Sequence, residues 1–534
     1  MKKSVRALSL LMILILTVSL FTACGSSSTN GGTANGDNKP TVRKDGFPIV
    51  DEPITLTVMS QDVGMADWST MPVLQEMEKL TNIRLEYQLV PMDSFATKKN
   101  LIFASGDYPD FLYAADLTPA EQVTYGSQGA LIPLEDLIDE GYAPNLKKIL
   151  DENPDIRKNI TTPDGHIYAL PFIDKAAVWY RGPVWYNGNF LEALGVTELP
   201  KTTDELYAYL KRVKEEDPNG NGQQDEIPLS SVKLDDIRMF FLGFWGIYDE
   251  VRYVDDEGKV HYTPQEEGYK GYLTFLNKLY SEGLLDSETF SQTDDQKKAK
   301  GHDNRVGLFS DYFPYFTMGD EPSFKHPLMT PVASEIEGTP VYGKHPGMSA
   351  NGTFAITSAN PYPEATMRWV DYLYSYEGAT LFNQGPEGLL WEYVDEENHI
   401  KRWKEVPGGG DREEYRGTIT PNYGILTPGI NDPETVKGLR SEFDEWIDKE
   451  TQEKLAPIAR VPFPNVYLTV EEQTEASALL ADLNTYVEQM EAKFVTGAEP
   501  LSNWDQYVEQ LKKMGSDRIV ELYQAAYDRW NQNQ

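Results

Sequence analysis

Glu215-Glu216-Asp217-Pro218-Asn219-Gly220-Asn221-Gly222-Gln223-Gln224-Asp225-Glu226-Ile227-Pro228 follows an amphipathic helical pattern and sets side-chain oxygens at alternating positions. Asp217, Asn219 and Asn221 come first, then Asp225 and Glu226. A hard cation such as calcium takes six to eight oxygen ligands, and an Asp-x-Asn-x-Asn-Gly loop supplies them in turn. Gly222 permits the sharp bend, and the Gln223 carbonyl fills the backbone-ligand slot. The pattern departs from an EF-hand at its twelfth position, where Pro228 carries no carboxylate, so Glu226 has to close the shell. A solvated Asn/Asp/Gly turn is the plain alternative. Five oxygen side chains in so short a stretch exceed what a turn needs, so the expectation is calcium at Asp217, Asn219, Asn221, Gln223, Asp225 and Glu226.

The flanks add to this reading. Upstream stand Trp185-Tyr186-Asn187, Phe190-Leu191-Glu192-Ala193-Leu194-Gly195-Val196 and Leu199-Pro200-Lys201-Thr202-Thr203-Asp204-Glu205-Leu206. Together with the Asp-Pro-Asn-Gly-Asn-Gly…Asp-Glu-Ile-Pro loop, they resemble the extracellular solute-binding proteins of bacterial ABC importers, in the large lipoprotein branch that handles oligosaccharides. The Ala104–Asp110 and Asp164–Pro171 turns and Gly385-Pro386-Glu387-Gly388 match the same family, so the resemblance covers nearly all of residues 50–530. It implies that the loop holds a structural calcium ion. It also implies a carbohydrate ligand and an ABC permease as partner.

The chain begins with Lys2, Lys3 and Arg6, an apolar run from Ala7 to Leu20, and Leu20-Phe21-Thr22-Ala23-Cys24-Gly25. That run is too short for a membrane span and reads as a secretory signal over 1–23. Ala23-Cys24 resembles a lipobox, in which Cys24 is diacylated and becomes the new N-terminus. Cys24 is the only cysteine, which excludes an internal disulfide and any thiolate metal site. Residues 24–49, rich in Gly, Ser, Thr and Asn, are expected to be a flexible tether with a reach of about 25–30 Å. The formal net charge is −36. A chain this acidic does not bind nucleic acid or anionic lipid through its overall field. The expected location is the extracytoplasmic face of the cell membrane, held by lipid.

From Ile54 the apolar pattern alternates between strand and helix periods. Ile54, Leu56 and Val58 predict a strand, and Val73, Leu74, Met77 and Leu80 a helix. Ile83, Leu85, Tyr87 and Leu89 predict a second strand, with a helix near 95–105 and a strand at 110–114 after it. Strand-helix-strand repetition implies a parallel sheet covered by helices. Thr202 and Glu205 predict a capping box. Residues 476–495, 504–514 and 518–530 read as amphipathic helices on the second lobe. The fold class expected is α/β, a two-lobed periplasmic-binding-protein-like (type II) fold with a hinge and extra C-terminal helices. The first lobe takes 50–174 and 350–405; the second takes 175–349 and 406–534.

Catalytic patterns are absent. The six histidines never fall three or four apart, and there is no nucleophile elbow, P-loop or dinucleotide fingerprint. The expectation is a binding protein, not an enzyme, that captures a carbohydrate between its lobes. A receptor for a peptide or other small solute is the alternative, and a secreted glycoside hydrolase or lyase the alternative from another class. Sugars stack their C–H faces on aromatic rings and need planar polar partners. The ligand-binding candidates are therefore Trp68, Trp179, Trp245 and Trp391, with Asp62, Arg181, Asn187 and Asp311 beside them.

Overall fold

The computed structural model describes residues 40–175, 179, 183–336, 338–344 and 347–532. The signal segment, Cys24, the tether as far as residue 39, and Arg181 lie outside the described residues.

The alternation from Ile54 forms the strand Ile54–Asp62, which pairs in parallel with Ile83–Pro91 on one side and Phe111–Tyr113 on the other. Helices Pro72–Thr81 and Met92–Ser105 make the crossovers. The sheet continues to six strands in the order Gly429–Asn431, Leu170–Asp174, Met348–Ile356, Phe111–Tyr113, Ile54–Asp62, Ile83–Pro91. Met348–Ile356 runs antiparallel to both neighbours. One apolar core, including Leu74, Met77, Phe111, Trp369 and Ile430, packs on this sheet.

A second core forms around the three strands Val184–Tyr186, Val306–Ser310 and Ile227–Leu229. Trp185 and Tyr186 are wholly buried there. The helix Thr203–Glu215 is capped by Thr202, whose hydroxyl accepts from Glu205 N. The predicted box is only half formed, because the Glu205 carboxylate accepts from Lys201 N (2.7 Å) instead. The C-terminal helices Val470–Thr496, Trp504–Lys513 and Ser516–Gln532 pack on this core through Leu483, Phe494, Leu511 and Leu522. Buried Glu491 on the first of them accepts from Arg238 Nη2 (2.7 Å) and from the Tyr269 and Tyr272 hydroxyls (3.3 and 3.2 Å). Two cores on two sheets make the molecule two-lobed.

Two expected boundaries change. Residues 41–49 are not tether: Val42 bridges Val50, Ile49 and Val50 are fully buried, and Arg368 donates to the Arg43 and Gly46 carbonyls. Apolar side chains late in an otherwise polar stretch explain why composition misplaced its end. The segment 406–534 is not all second lobe either. Gly429–Asn431 is hydrogen-bonded to Leu170–Asp174 in the first sheet. Between these parts, the hairpin Trp391–Asp395/Ile400–Trp403 builds a small core of its own from Leu390, Trp391, Ile419 and Leu439.

Candidate functional site

A cleft of about 1050 Å³ opens where the chain passes between the two cores. The first sheet contributes the ends of two adjacent parallel strands, Asp174 and Asn431, joined by Asn431 Nδ2 donating to Asp174 Oδ1 (3.0 Å). The second lobe contributes Tyr312, Phe313 and Tyr315 from the turn after Val306–Ser310, and Phe443 from the helix Glu442–Lys454. The hairpin contributes Trp403, and the helix Arg412–Ile419 contributes Arg412. Trp179 stands against this wall, edge-on to Tyr312 at 5.6 Å, with its Nε1 donating to Thr451 Oγ1 (3.1 Å). Phe313 and Tyr315 stack at 5.6 Å. Tyr312 is 63% exposed, a ring with much of its surface left open to the cleft. Rings with free faces beside Asp, Arg, Asn and Ser side chains suit a ligand with both apolar faces and hydroxyls.

The predicted aromatics divide sharply. Trp179 lines the cleft. Trp68 does not: it is 4% exposed in the first core, edge-on to Tyr87 and Tyr113. Trp245 is 7% exposed against Phe244 and Phe275 in the second core. Trp391 sits in the small hairpin core and donates from Nε1 to the Gly385 carbonyl (2.8 Å). A ring already enclosed on its faces has none to offer a sugar.

The polar candidates are also redistributed. Asn187 is fully buried; its Oδ1 caps the helix Gly188–Ala193 and its Nδ2 donates to Val306 O (2.9 Å), so it is a structural residue. Asp62 closes a local turn by accepting from Gly64 N (3.0 Å) and does not line the cleft. Asp311 accepts from Tyr312 N and Thr317 Oγ1 (both 2.7 Å), and so holds the turn that presents Tyr312 and Phe313. Residues that sequence reading missed are Tyr312, Trp403, Arg412, Arg440 and Phe443. The triple glycine at 408–410, all with positive φ, was the one local sign of a special loop beside Arg412.

The oxygen-rich loop is wound tightly on itself. Asp217, Gly220 and Gly222 have φ of 49°, 70° and 77°, the left-handed region that glycine adopts without strain. Asp217 Oδ2 accepts from Gly222 N (2.9 Å), and Asn221 Oδ1 accepts from Gln223 N (2.7 Å). Asp225 Oδ1 accepts from the Asn219 and Asn221 amides (3.1 and 3.0 Å); the Asn221 bond, then the Asn219 bond, hold its carboxyl below the usual range. Glu226 is the opposite case. Burial raises its carboxyl, its Oε2 is buried with no hydrogen-bond partner, and Asp217 and Asp225 push it up further. Among the described residues no three His, Cys, Asp or Glu side chains are grouped to hold a metal by themselves. A cation here would therefore rest on amide and backbone oxygens as well. The orphaned Glu226 oxygen and the all-oxygen donor set fit a hard cation.

A family model for bacterial extracellular solute-binding proteins matches residues 64–380. The chain is 29% identical to the fructooligosaccharide ABC transporter substrate-binding protein FusA of Streptococcus pneumoniae serotype 4, an alignment covering 98% of each chain. Solved FusA structures, one with kestose and one of an EF-hand mutant with fructo-nystose, superpose with TM-scores of 0.72 and 0.71 at 28% identity. Each covers 90% of this chain and 100% of FusA. An HMO-binding, ABC-transporter-associated solute-binding protein from Bifidobacterium longum infantis shares the fold at TM-score 0.76 and 23% identity, over 90% and 99% of the two chains. With more than half the chain matched by the family model, and with the two cores and the cleft between them, this protein belongs to the bacterial extracellular solute-binding proteins, which bind substrates rather than transform them.

Proposed function

We propose that this chain captures an oligosaccharide in the interlobe cleft and delivers it to an ABC permease on the extracytoplasmic face of the membrane. The observation that carries this reading is the aromatic wall of the cleft, where Trp179, Tyr312, Phe313 and Trp403 stand beside hydrogen-bonding side chains. Stacking on those rings orients the sugar, and closing the lobes removes water from both of its faces. The family's ligands, as named for FusA, are the second support. Calcium would be held by Asp217, Asn219, Asn221, Gln223, Asp225 and Glu226, away from the cleft lining, where it would neutralise crowded carboxylates and stiffen the loop. Lipid on Cys24 would keep the protein at the membrane, since each buried methylene contributes about 0.8 kcal/mol.

The test uses the Cys24→Ala form, expected to leave the membrane fraction and to serve as the soluble protein. Melted against a panel of oligosaccharides, it should be stabilised by about 2.7 kcal/mol at a ligand concentration about 100 times Kd. If no oligosaccharide raises the melting temperature while a peptide pool does, the small-solute reading replaces this one.

A further inference from the structure

We propose that Arg412 is the residue with which the cleft reads its ligand, and that the charge around it makes the cleft take an uncharged oligosaccharide over an acidic one. This inference rests on the carbohydrate reading above. The described cleft lining holds three cations: Lys175, Arg412 and Arg440. Two are committed within the fold. Lys175 Nζ lies 3.1 Å from Asp432 Oδ2, and Arg440 grips Asp448 with both terminal nitrogens. Arg412 differs. It makes no hydrogen bond or ion pair to any described residue; its guanidinium lies 4.5 Å from the Trp403 ring centroid, and its Nε is buried without a partner. Placed at the first position of the helix Arg412–Ile419, after Asp411 caps it, the side chain is fixed at its base and uncommitted at its head.

A guanidinium is a planar fork of donors, and laid on a ring it keeps one orientation. Such a fork matches two adjacent hydroxyls of a sugar as well as it matches a carboxylate. The surrounding charge decides between them. Arg440 already offsets Asp448, whereas Asp444 lines the same cleft with no ion pair to any described residue, and the whole chain carries −36. A polyuronate brings one negative charge per sugar into this field, and Arg412, the one uncommitted cation among the described lining residues, can offset only one of them. A neutral polyol meets no such repulsion, and it gives the terminal nitrogens of Arg412 the acceptors they lack.

The experiment measures Kd by calorimetry for kestose, for the neutral oligosaccharide that shifts melting most in the panel, and for trigalacturonate. The proteins are the wild type, Arg412→Ala and Arg412→Lys. The wild type should bind the neutral sugar at least about tenfold more tightly than trigalacturonate. Arg412→Ala should weaken neutral binding by about 10–100-fold, as loss of charge-assisted hydrogen bonds does, with an unchanged melting temperature in the absence of sugar. Arg412→Lys keeps the charge and the stem but not the fork, and should recover only a minor part of that loss. Wild-type affinity in Arg412→Ala, full rescue by lysine, or tighter binding of trigalacturonate would each overturn the proposal while leaving the carbohydrate reading intact. A wild type that binds no saccharide of either class overturns the carbohydrate reading, and the proposal with it. If Arg412→Ala melts lower, Arg412→Lys, which preserves the cover over Trp403, still decides on affinity alone.

Discussion

Lys401 carries an ammonium group into a site with no carboxylate partner among the described residues. It is 1% exposed, donates to the Thr435 carbonyl (2.8 Å) and Thr380 Oγ1 (3.2 Å), and lies 4.6 Å from the Tyr376 ring centroid and 4.9 Å from that of Trp391. Carbonyl and hydroxyl dipoles and ring faces replace only part of the lost water, and burial pulls its pKa down to about 8. The sign follows from proton counting. Between pH about 8 and about 10.4 the unfolded chain holds a proton at this lysine that the folded chain has released, so stability from this group rises with pH across that window. Below pH 8 the penalty is present in full. Replacing the charge with an apolar chain of similar volume, Lys401→Met, removes the penalty. In urea melts the stability of the wild type relative to the variant should therefore rise by on the order of 1–2 kcal/mol between pH 7.5 and 10.5. A flat difference across that range would mean that the dipoles and rings solvate the ammonium as well as water does.

The loop 215–228 is the element whose physics is most local. A helix capped at Thr202 delivers the chain into it, and the strand Ile227–Leu229 takes the chain away into the second sheet. Asp217 and Asp225 both push the Glu226 carboxyl up, and of the three only Asp225 has a cationic neighbour among the described residues, Arg305 Nε at 3.2 Å from its Oδ2. A bound cation relieves the repulsion and satisfies Glu226 Oε2. Adding calcium to metal-free protein should raise the melting temperature, and a chelator should lower it. Asp217→Ala and Asp225→Ala should abolish that response while leaving sugar affinity nearly unchanged, since none of these residues lines the cleft. If both variants keep the full calcium response, the loop is a turn and nothing more. The capping at Thr202 and the turn glycines were legible in advance because each depends on residues within about four positions along the chain.

At the scale of the whole molecule, the predicted tryptophans divide among the two large cores, the small hairpin core and the cleft. Trp68→Ala and Trp245→Ala each empty a packed site, and should cost about 3–5 kcal/mol of stability in denaturant melts, with the affinity of the protein that remains folded unaltered. Trp179→Ala should do the reverse. Its ring is part of the cleft wall, so affinity should fall by about tenfold or more while the melting temperature changes little. Calorimetry beside melting curves separates the two behaviours. A Trp179→Ala variant that unfolds early yet binds normally would place that ring with the core residues.

The sequence by itself determined the architecture and the loop. Strand and helix periods are written in residues two to four apart, and they led to the parallel sheet around Ile54–Asp62 and to helices such as Thr203–Glu215. Alternating oxygens in ten residues are equally local. Only the tertiary structure decided which aromatic rings face a ligand. Trp179 is bonded to Thr451, 272 positions away, and the rest of the cleft is drawn from segments near 174, 312, 403, 412 and 443. A core and a cleft both call for large rings beside turns, so Trp68 and Trp179 look alike in sequence. The difference between them is whether distant side chains cover their faces: Tyr87 and Tyr113 enclose Trp68, whereas Trp179 keeps part of its surface on the cleft because the lobes meet there without filling the space between them.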